Sequence, residues 1–316
     1  GNLYLITGGG FRLTISAPIV DNGGAVTPVI SGSNGITLSG ANTFTGGIVI
    51  TAGSLTIGAN NVLGAVAGGL TFNSSGGLAF FAATTVGTSG TATNRAIALN
   101  NFALATITTG AFNSSLIGNI SGTGGIILAG TSGNTLTIGQ SGSTSTYTGP
   151  TIINVGTLKA GVANAFGNGS AVNLSNTAGT VMDITGFNVS IGSLSGGGTT
   201  SGNVTLGAAT LTIGTNHEST SYAGVISGTG GSITKTGTGI LTLTGTNTFT
   251  GAVTISNGFI NVGNVTNLGA GTAISISGGG LQFSANTTNN IADPSSMLRS
   301  EEHTSELQSL RRISYA

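Results

Sequence analysis

Apolar and polar positions alternate with a period of two in short runs, and glycine interrupts almost every run. In 240-ILTLTG-245, Leu241 and Leu243 point to one side while Thr242 and Thr244 point to the other. Further on, Val253 and Ile255 bracket Thr254, and Ile260 and Val262 bracket Asn261. Alternation of this kind, rich in β-branched residues, predicts strands rather than helices. The Asn-Gly, Thr-Gly and Gly-Gly steps between runs supply turns with positive φ. No helical periodicity appears before residue 296.

The runs belong to a longer repeat. Three segments align without gaps: 44-FTGGIVITAGSLTIGANNVLG-64, 147-YTGPTIINVGTLKAGVANAFG-167 and 249-FTGAVTISNGFINVGNVTNLG-269. They start 103 and 102 residues apart. Each opens on an aromatic residue (Phe44, Tyr147, Phe249), followed by glycine at offset two (Gly46, Gly149, Gly251). Glycine returns at offset nine (Gly53, Gly156, Gly258) and offset twenty (Gly64, Gly167, Gly269). Apolar residues hold offset eleven (Leu55, Leu158, Ile260) and offset nineteen (Leu63, Phe166, Leu268). A second landmark precedes each block: 30-ISGSNG-35, 120-ISGTGG-125 and 226-ISGTGG-231. Its distance to the aromatic varies, so insertions are tolerated there. Alternation places Phe44, Tyr147 and Phe249 with the inward residues.

Strands this short, joined by turns too brief for crossover helices, leave few architectures. A parallel β-solenoid buries one face of each strand and stacks like residues between turns. At roughly 20–25 residues per rung, residues 1–298 form about 12–14 rungs, a rod of roughly 60 Å with about four or five rungs per repeat. The domain expectation is therefore one continuous solenoid over 1–298, with motif blocks near 30–64, 120–167 and 226–269. An array of β-sandwiches, one per repeat, is the weaker alternative, because such strands run longer and carry more aromatics.

Composition narrows function. Of 316 residues, 58 are glycine and only 4 % are charged, against the usual quarter. The formal net charge is zero, and no basic cluster precedes residue 299, which excludes nucleic-acid binding driven by phosphate neutralisation. Without cysteine there is no disulfide or metal–thiolate site, and no apolar run is long enough for a membrane span. The opening GNLYLITGGG has neither an initiator methionine nor a leader pattern, so the chain reads as a fragment beginning inside a repeat. Cutting a solenoid within its repeats would leave open ends that invite self-association.

The last eighteen residues, 299-RSEEHTSELQSLRRISYA-316, break the pattern: six are charged and none is glycine. RSEEHTSELQS resembles the in-frame translation of a sequencing adapter, and ISYA matches the adapter beyond a short index gap. Residues 299–316 are accordingly expected to be non-native, which removes His303, Glu301, Glu302 and Arg311–Arg312 as candidates.

The segment 226-ISGTGGSITKTGTGILTLTGTNTFTGAVTISNGFINVG-263 resembles the autotransporter-associated β-strand repeat, also called the passenger-associated transport repeat. The telling residues are ISGTGG, Lys235-Thr236-Gly237, Leu241-Thr242-Leu243, Gly245, Asn247-Thr248-Phe249-Thr250-Gly251 and Gly258. Residues 36–58 match its second half, and the copy near 147 is degenerate, with Pro150 where glycine or alanine stands elsewhere. The resemblance implies a right-handed parallel β-helix, exported to the bacterial surface and anchored or released through a C-terminal β-barrel. It implies a non-catalytic stalk or adhesin scaffold, located outside the cell or at the outer membrane. The expected partners are a surface ligand, such as a glycan or the surface of a host or neighbouring cell, and the translocator barrel. No cofactor or metal is expected.

Candidate chemistry is sparse. His217-Glu218 is the one histidine–carboxylate neighbour before residue 299, but a zinc-protease helix would need histidine where Ser221 stands. A solvated loop is the plainer reading. Asp21, Asp183, Glu218 and Asp293 are far apart in sequence, so the clustered carboxylates of a β-helical polysaccharide lyase or hydrolase would have to arise by folding. Thr242/Thr244 and Thr135/Thr137 raise ice binding, yet these pairs are scattered along the chain where an ice face needs them on successive rungs. Lys159 and Lys235 are most simply solvated.

Overall fold

Leu13 pairs with Ile36, Ile36 with Leu55, and Leu55 with Leu78, each partner one turn further along the chain. The same ladder continues through Ile107, Leu128, Ile153 and Leu174, then through Gly196, Tyr222, Leu243, Val262 and Phe283. Every pairing is parallel, so one thirteen-stranded sheet runs along the molecule. The computed structural model describes residues 1–88, 94–167, 169–271 and 273–284, with the backbone of Leu298–Ser300. The remainder of the 299–316 tail lies outside the described residues.

The chain is a parallel β-solenoid of about twelve turns. Three shorter sheets close its other faces: six strands in the first half, seven in the middle and six in the second half. A turn of the middle region runs from Ile97–Leu99 on the first sheet to Leu104–Thr108 on the long sheet and Ser114–Leu116 on the third. Later, Val189–Ile191 on the fourth sheet precedes Ser193–Gly196 on the long sheet and Asn203–Thr205 on the third. The first and fourth sheets thus take the same place in the winding order. Turn length is uneven, from 19 residues where Ile36 meets Leu55 to 29 where Leu78 meets Ile107. A sandwich array would break the ladder between repeats, and the ladder does not break.

Alternation sets what is buried. Ser54–Ile57, Thr135–Ile138 and Ile240–Leu243 each bury their second and fourth residues. Side chains stack along the axis into one continuous core that includes Phe44, Tyr147 and Phe249, all without exposed surface. Fully burying one such large side chain is worth about 1.5–3 kcal/mol. Among the described residues, helical structure is limited to short 3-10 turns at Asn60–Leu63, Val66–Gly68 and Val265–Leu268.

The three sequence blocks are not in the same phase of the winding. After Phe44 and Phe249, the first strand of the block lies on the first or fourth sheet (Ile48–Ile50, Val253–Ile255) and the next on the long sheet (Ser54–Ile57, Phe259–Val262). After Tyr147, the first strand, Thr151–Val155, is already on the long sheet, and Thr157–Ala160 lies on the third. The second block is therefore advanced by one face. In consequence four long-sheet strands separate Phe44 from Tyr147, and five separate Tyr147 from Phe249.

Candidate functional surface

Inside each block the same contacts recur. The offset-twenty glycine sits one turn along from the aromatic and against its ring: a Cβ on Gly64, Gly167 or Gly269 would lie 2.5 to 3.0 Å from ring carbons of Phe44, Tyr147 or Phe249. The offset-nine glycines, Gly53, Gly156 and Gly258, turn corners at φ 69°, 95° and 68°. At Gly46, Gly149 and Gly251 the neighbouring turn comes so close that a Cβ would sit 2.2 to 2.4 Å from its nearest atom. Leu55, Leu158, Ile260, Leu63 and Phe166 are fully buried, and Leu268 nearly so.

Several polar groups invisible to simple alternation hold the turns together. Asn42, two residues before Phe44, accepts from Ile19 N at 2.7 Å and donates to Val62 O at 2.5 Å. Asn247 occupies the same place before Phe249, accepting from Ile226 N at 2.8 Å and donating to Asn267 O. Each buried amide therefore ties the turn below to the turn above. Ser145 takes this position in the middle block. The recurrence of asparagine two residues before phenylalanine was the signal available in the sequence.

Charges follow a similar logic. Arg95 is wholly buried and donates to Asn60 Oδ1, Leu63 O, Gly64 O and Ala65 O at 2.8 to 3.2 Å. Burial lowers its pKa to about 10. Lys235 is not solvated as expected: it occupies an inward position beside Ile233, 1 % exposed, and donates to Thr236 O and Gly237 O. Desolvation lowers its pKa. Lys159 is partly exposed but paired, its Nζ 2.6 Å from Asp183 Oδ2, with the two residues facing each other in adjacent strands. Burial alone would raise the Asp183 pKa, but hydrogen bonds from Lys159 and Thr185 outweigh it and the net shift is downward. Asp21 accepts from Thr45 Oγ1, Val26 N and Thr45 N, and the Thr45 hydroxyl leads in lowering its pKa.

Folding does not gather the sequence candidates into one centre. Glu218 Oε2 accepts from Asn216 Nδ2 at 2.9 Å and Ser193 Oγ at 3.1 Å, while His217 Nδ1 accepts from Thr238 N at 3.2 Å. Both are occupied in fixing a corner. Asp293 lies outside the described residues. Among the described residues no group of three or more His, Asp or Glu side chains could hold a metal, and no helix is long and apolar enough to cross a membrane.

The outer faces carry hydroxyl columns. On the third sheet Thr85, Ser115 and Thr137 lead to Lys159 and Asp183, and Thr205 and Ser227 continue the register. On the fourth sheet Ser190, Thr212, Thr234, Thr254 and Ser275 align on five successive rungs. Threonines scattered in sequence are thus in register here. The surface is a polar, nearly uncharged ladder, suited to hydrogen bonding along its length and not to concentrated acid–base work.

A model of the passenger-associated-transport-repeat matches residues 31–57, 131–160 and 233–262. The chain is also 42 % identical over 178 residues to the Adhesin BmaC autotransporter of Brucella suis biovar 1 (strain 1330). That alignment covers 52 % of this chain and 5 % of the relative, so the chain spans about a twentieth of the adhesin's length. No solved structure matches it.

Proposed function

From a β-solenoid that carries passenger-associated-transport-repeats and is related to an autotransporter adhesin, we infer a non-catalytic segment of a surface-displayed bacterial adhesin. It acts as a stiff spacer that carries contact points along its side, in a protein exported through a C-terminal β-barrel. The observation that supports this most is the unbroken thirteen-strand ladder. A rod of that kind resists bending because every turn is hydrogen-bonded to its neighbours on several faces. Its outward hydroxyls keep it soluble with few charges. The two acidic side chains nearest to histidine or lysine, Glu218 and Asp183, are engaged in corner and cross-strand contacts. The test is to coat inert beads with the chain and count attachment to eukaryotic or bacterial cells. Attachment above that of beads carrying an unrelated solenoid of equal length is expected; equal attachment would overturn the adhesive role.

A second reading rests on the fourth-sheet column from Ser190 to Ser275, because five aligned hydroxyls could template ordered water. It is secondary because serine occupies both ends. Thermal hysteresis of the purified chain tests it, and unaltered ice growth would remove it.

A further inference from the structure

Two consecutive non-glycine residues, Asn101 at φ 52° and Phe102 at φ 56°, adopt the left-handed conformation on the edge where the first sheet passes into the long sheet. Left-handed backbone costs an ordinary residue about 1–2 kcal/mol. Here that cost is spent holding a phenylalanine in water, since Phe102 is 79 % exposed. Neither core packing nor the parallel ladder uses the ring. The pair forms a tight turn closed by Ala103 N donating to Asn100 O at 2.8 Å, a turn that asparagine followed by glycine makes without strain, so the turn accounts for Asn101 but not for a bulky ring at the second position.

The surroundings of Phe102 are amides and hydroxyls, held in place by one another. Asn100 Nδ2 donates to Asn73 Oδ1 at 3.0 Å, Asn101 Nδ2 reaches Asn73 O at 3.4 Å, and Thr123 Oγ1 accepts from Phe102 N at 3.2 Å. Asn100 Oδ1 and Asn73 Nδ2 have no partner among the described residues and offer an acceptor and a donor beside the ring. No charged residue belongs to the adjoining corner segments 73–76, 100–103 and 123–124.

We propose that the Phe102 corner binds neutral saccharide chains. An aromatic face stacks on the C–H face of a pyranose while amides satisfy its hydroxyls. The absence of charge disfavours acidic polymers and phosphate groups. Phe11, 78 % exposed, occupies the same edge just before Leu13–Ile15, four rungs from Phe102 or roughly 19 Å at 4.8 Å per rung; the exposed Arg12 beside it carries one positive charge, so the uncharged setting belongs to the Phe102 corner, which sets the preference. Two rings on one edge suit a polymer that touches both, so avidity does what a single ring does weakly. This inference rests on the adhesive reading and names its ligand class.

Surface plasmon resonance on the immobilised chain tests it, with galactomannan, yeast α-mannan and mixed-linkage β-glucan as neutral probes and polygalacturonate as the acidic comparison. At least one neutral polymer is expected to bind, with its monosaccharides far weaker. Phe102→Ala should reduce apparent affinity about ten-fold, whereas Phe102→Tyr, which keeps the ring, should change it less than about two-fold. Phe187→Ala, an exposed ring on a different corner, should have no effect, and far-UV circular dichroism should be unchanged in all three. Binding indifferent to Phe102→Ala, preference for polygalacturonate, or no binding to any neutral polymer would overturn the assignment. If beads carrying the wild-type chain still adhere to cells in any of those cases, the adhesive role stands without this corner. If they do not adhere, that role falls as well.

Discussion

Gly64 lies against the ring of Phe44, twenty residues before it in sequence and one turn away in space, so close that a Cβ on the glycine would be 2.5 Å from Phe44 Cε2. The backbone closes the same contact, with Ala65 N donating to Phe44 O at 2.9 Å. Gly64 holds φ 70° and ψ −160°, a region that only glycine enters readily. Phe249 and Gly269 repeat the relationship, the latter at φ 86° and ψ −173°.

Gly64→Ala therefore combines backbone strain with a steric clash. We expect a loss of about 3 kcal/mol, from strain of order 1–3 kcal/mol plus overpacking of similar size. Gly133→Ala has comparable φ but open space around it, and should lose only about 1 kcal/mol. Gly24→Ala, with neither constraint, should be close to neutral. Urea denaturation of the three variants checks the order.

Asn247→Ala removes an amide that satisfies Ile226 N below and Asn267 O above. Leaving both groups buried and unpaired should cost about 2–4 kcal/mol. Hydrogen exchange gives the sharper readout: the Ile226 amide should lose protection first, ahead of amides several rungs away.

Arg95→Lys should be nearly as damaging as Arg95→Met. A lysine can meet at most part of the acceptor set at Asn60, Leu63, Gly64 and Ala65, whereas the guanidinium fork meets all four. A loss of about 2–4 kcal/mol is expected for each, read from thermal or urea unfolding.

Stability should be insensitive to acid and sensitive to alkali. Asp21 and Asp183 have folded pKa values below the ordinary 3.8, so the stability they add is present above that value and lost as pH falls through the lower, folded one. Both contacts are exposed enough to be screened, so the melting temperature should drop only slightly between pH 6 and pH 2.5. Tyr147 and Tyr222 are buried, and desolvation raises both above the ordinary 10. Their contribution is complete below pH 10 and declines as pH rises beyond it, because the unfolded chain ionises first. Arg95 and Lys235, whose folded pKa values are lowered, act in the opposite sense as pH rises, so the fall in melting temperature between pH 10 and 11.5 reports the excess of the two tyrosines over them, and Tyr222→Phe should soften that fall.

Strands and their inward residues were legible because period two is all that a solenoid wall requires of a sequence. Aromatic–glycine pairs were legible as a fixed offset. What the offset cannot carry is phase: Thr151–Val155 has the block position of Ile48–Ile50, yet lies on the long sheet. Phase depends on the summed length of every preceding turn, including the stretch from 120-ISGTGG-125 to Tyr147, which is four residues longer than the one from 226-ISGTGG-231 to Phe249. Buried charges were missed for another reason. Lys235 follows Ile233 at the inward period, so alternation itself pointed inside, but the default for lysine is solvent. Arg95 gave no such sign, because its acceptors come from a turn some thirty residues earlier.

The central claim is the unbroken ladder, and distance along it is the direct test. The chain contains no cysteine, so Thr37→Cys and Thr242→Cys can each carry a single spin label. Both residues lie outward on the long sheet, nine rungs apart. Pulsed electron–electron resonance should give one narrow distance of about 43 Å, from nine rungs at 4.8 Å each. A broad distribution, or a distance well beyond 60 Å, would mean separate units joined by flexible links and would contradict the continuous solenoid.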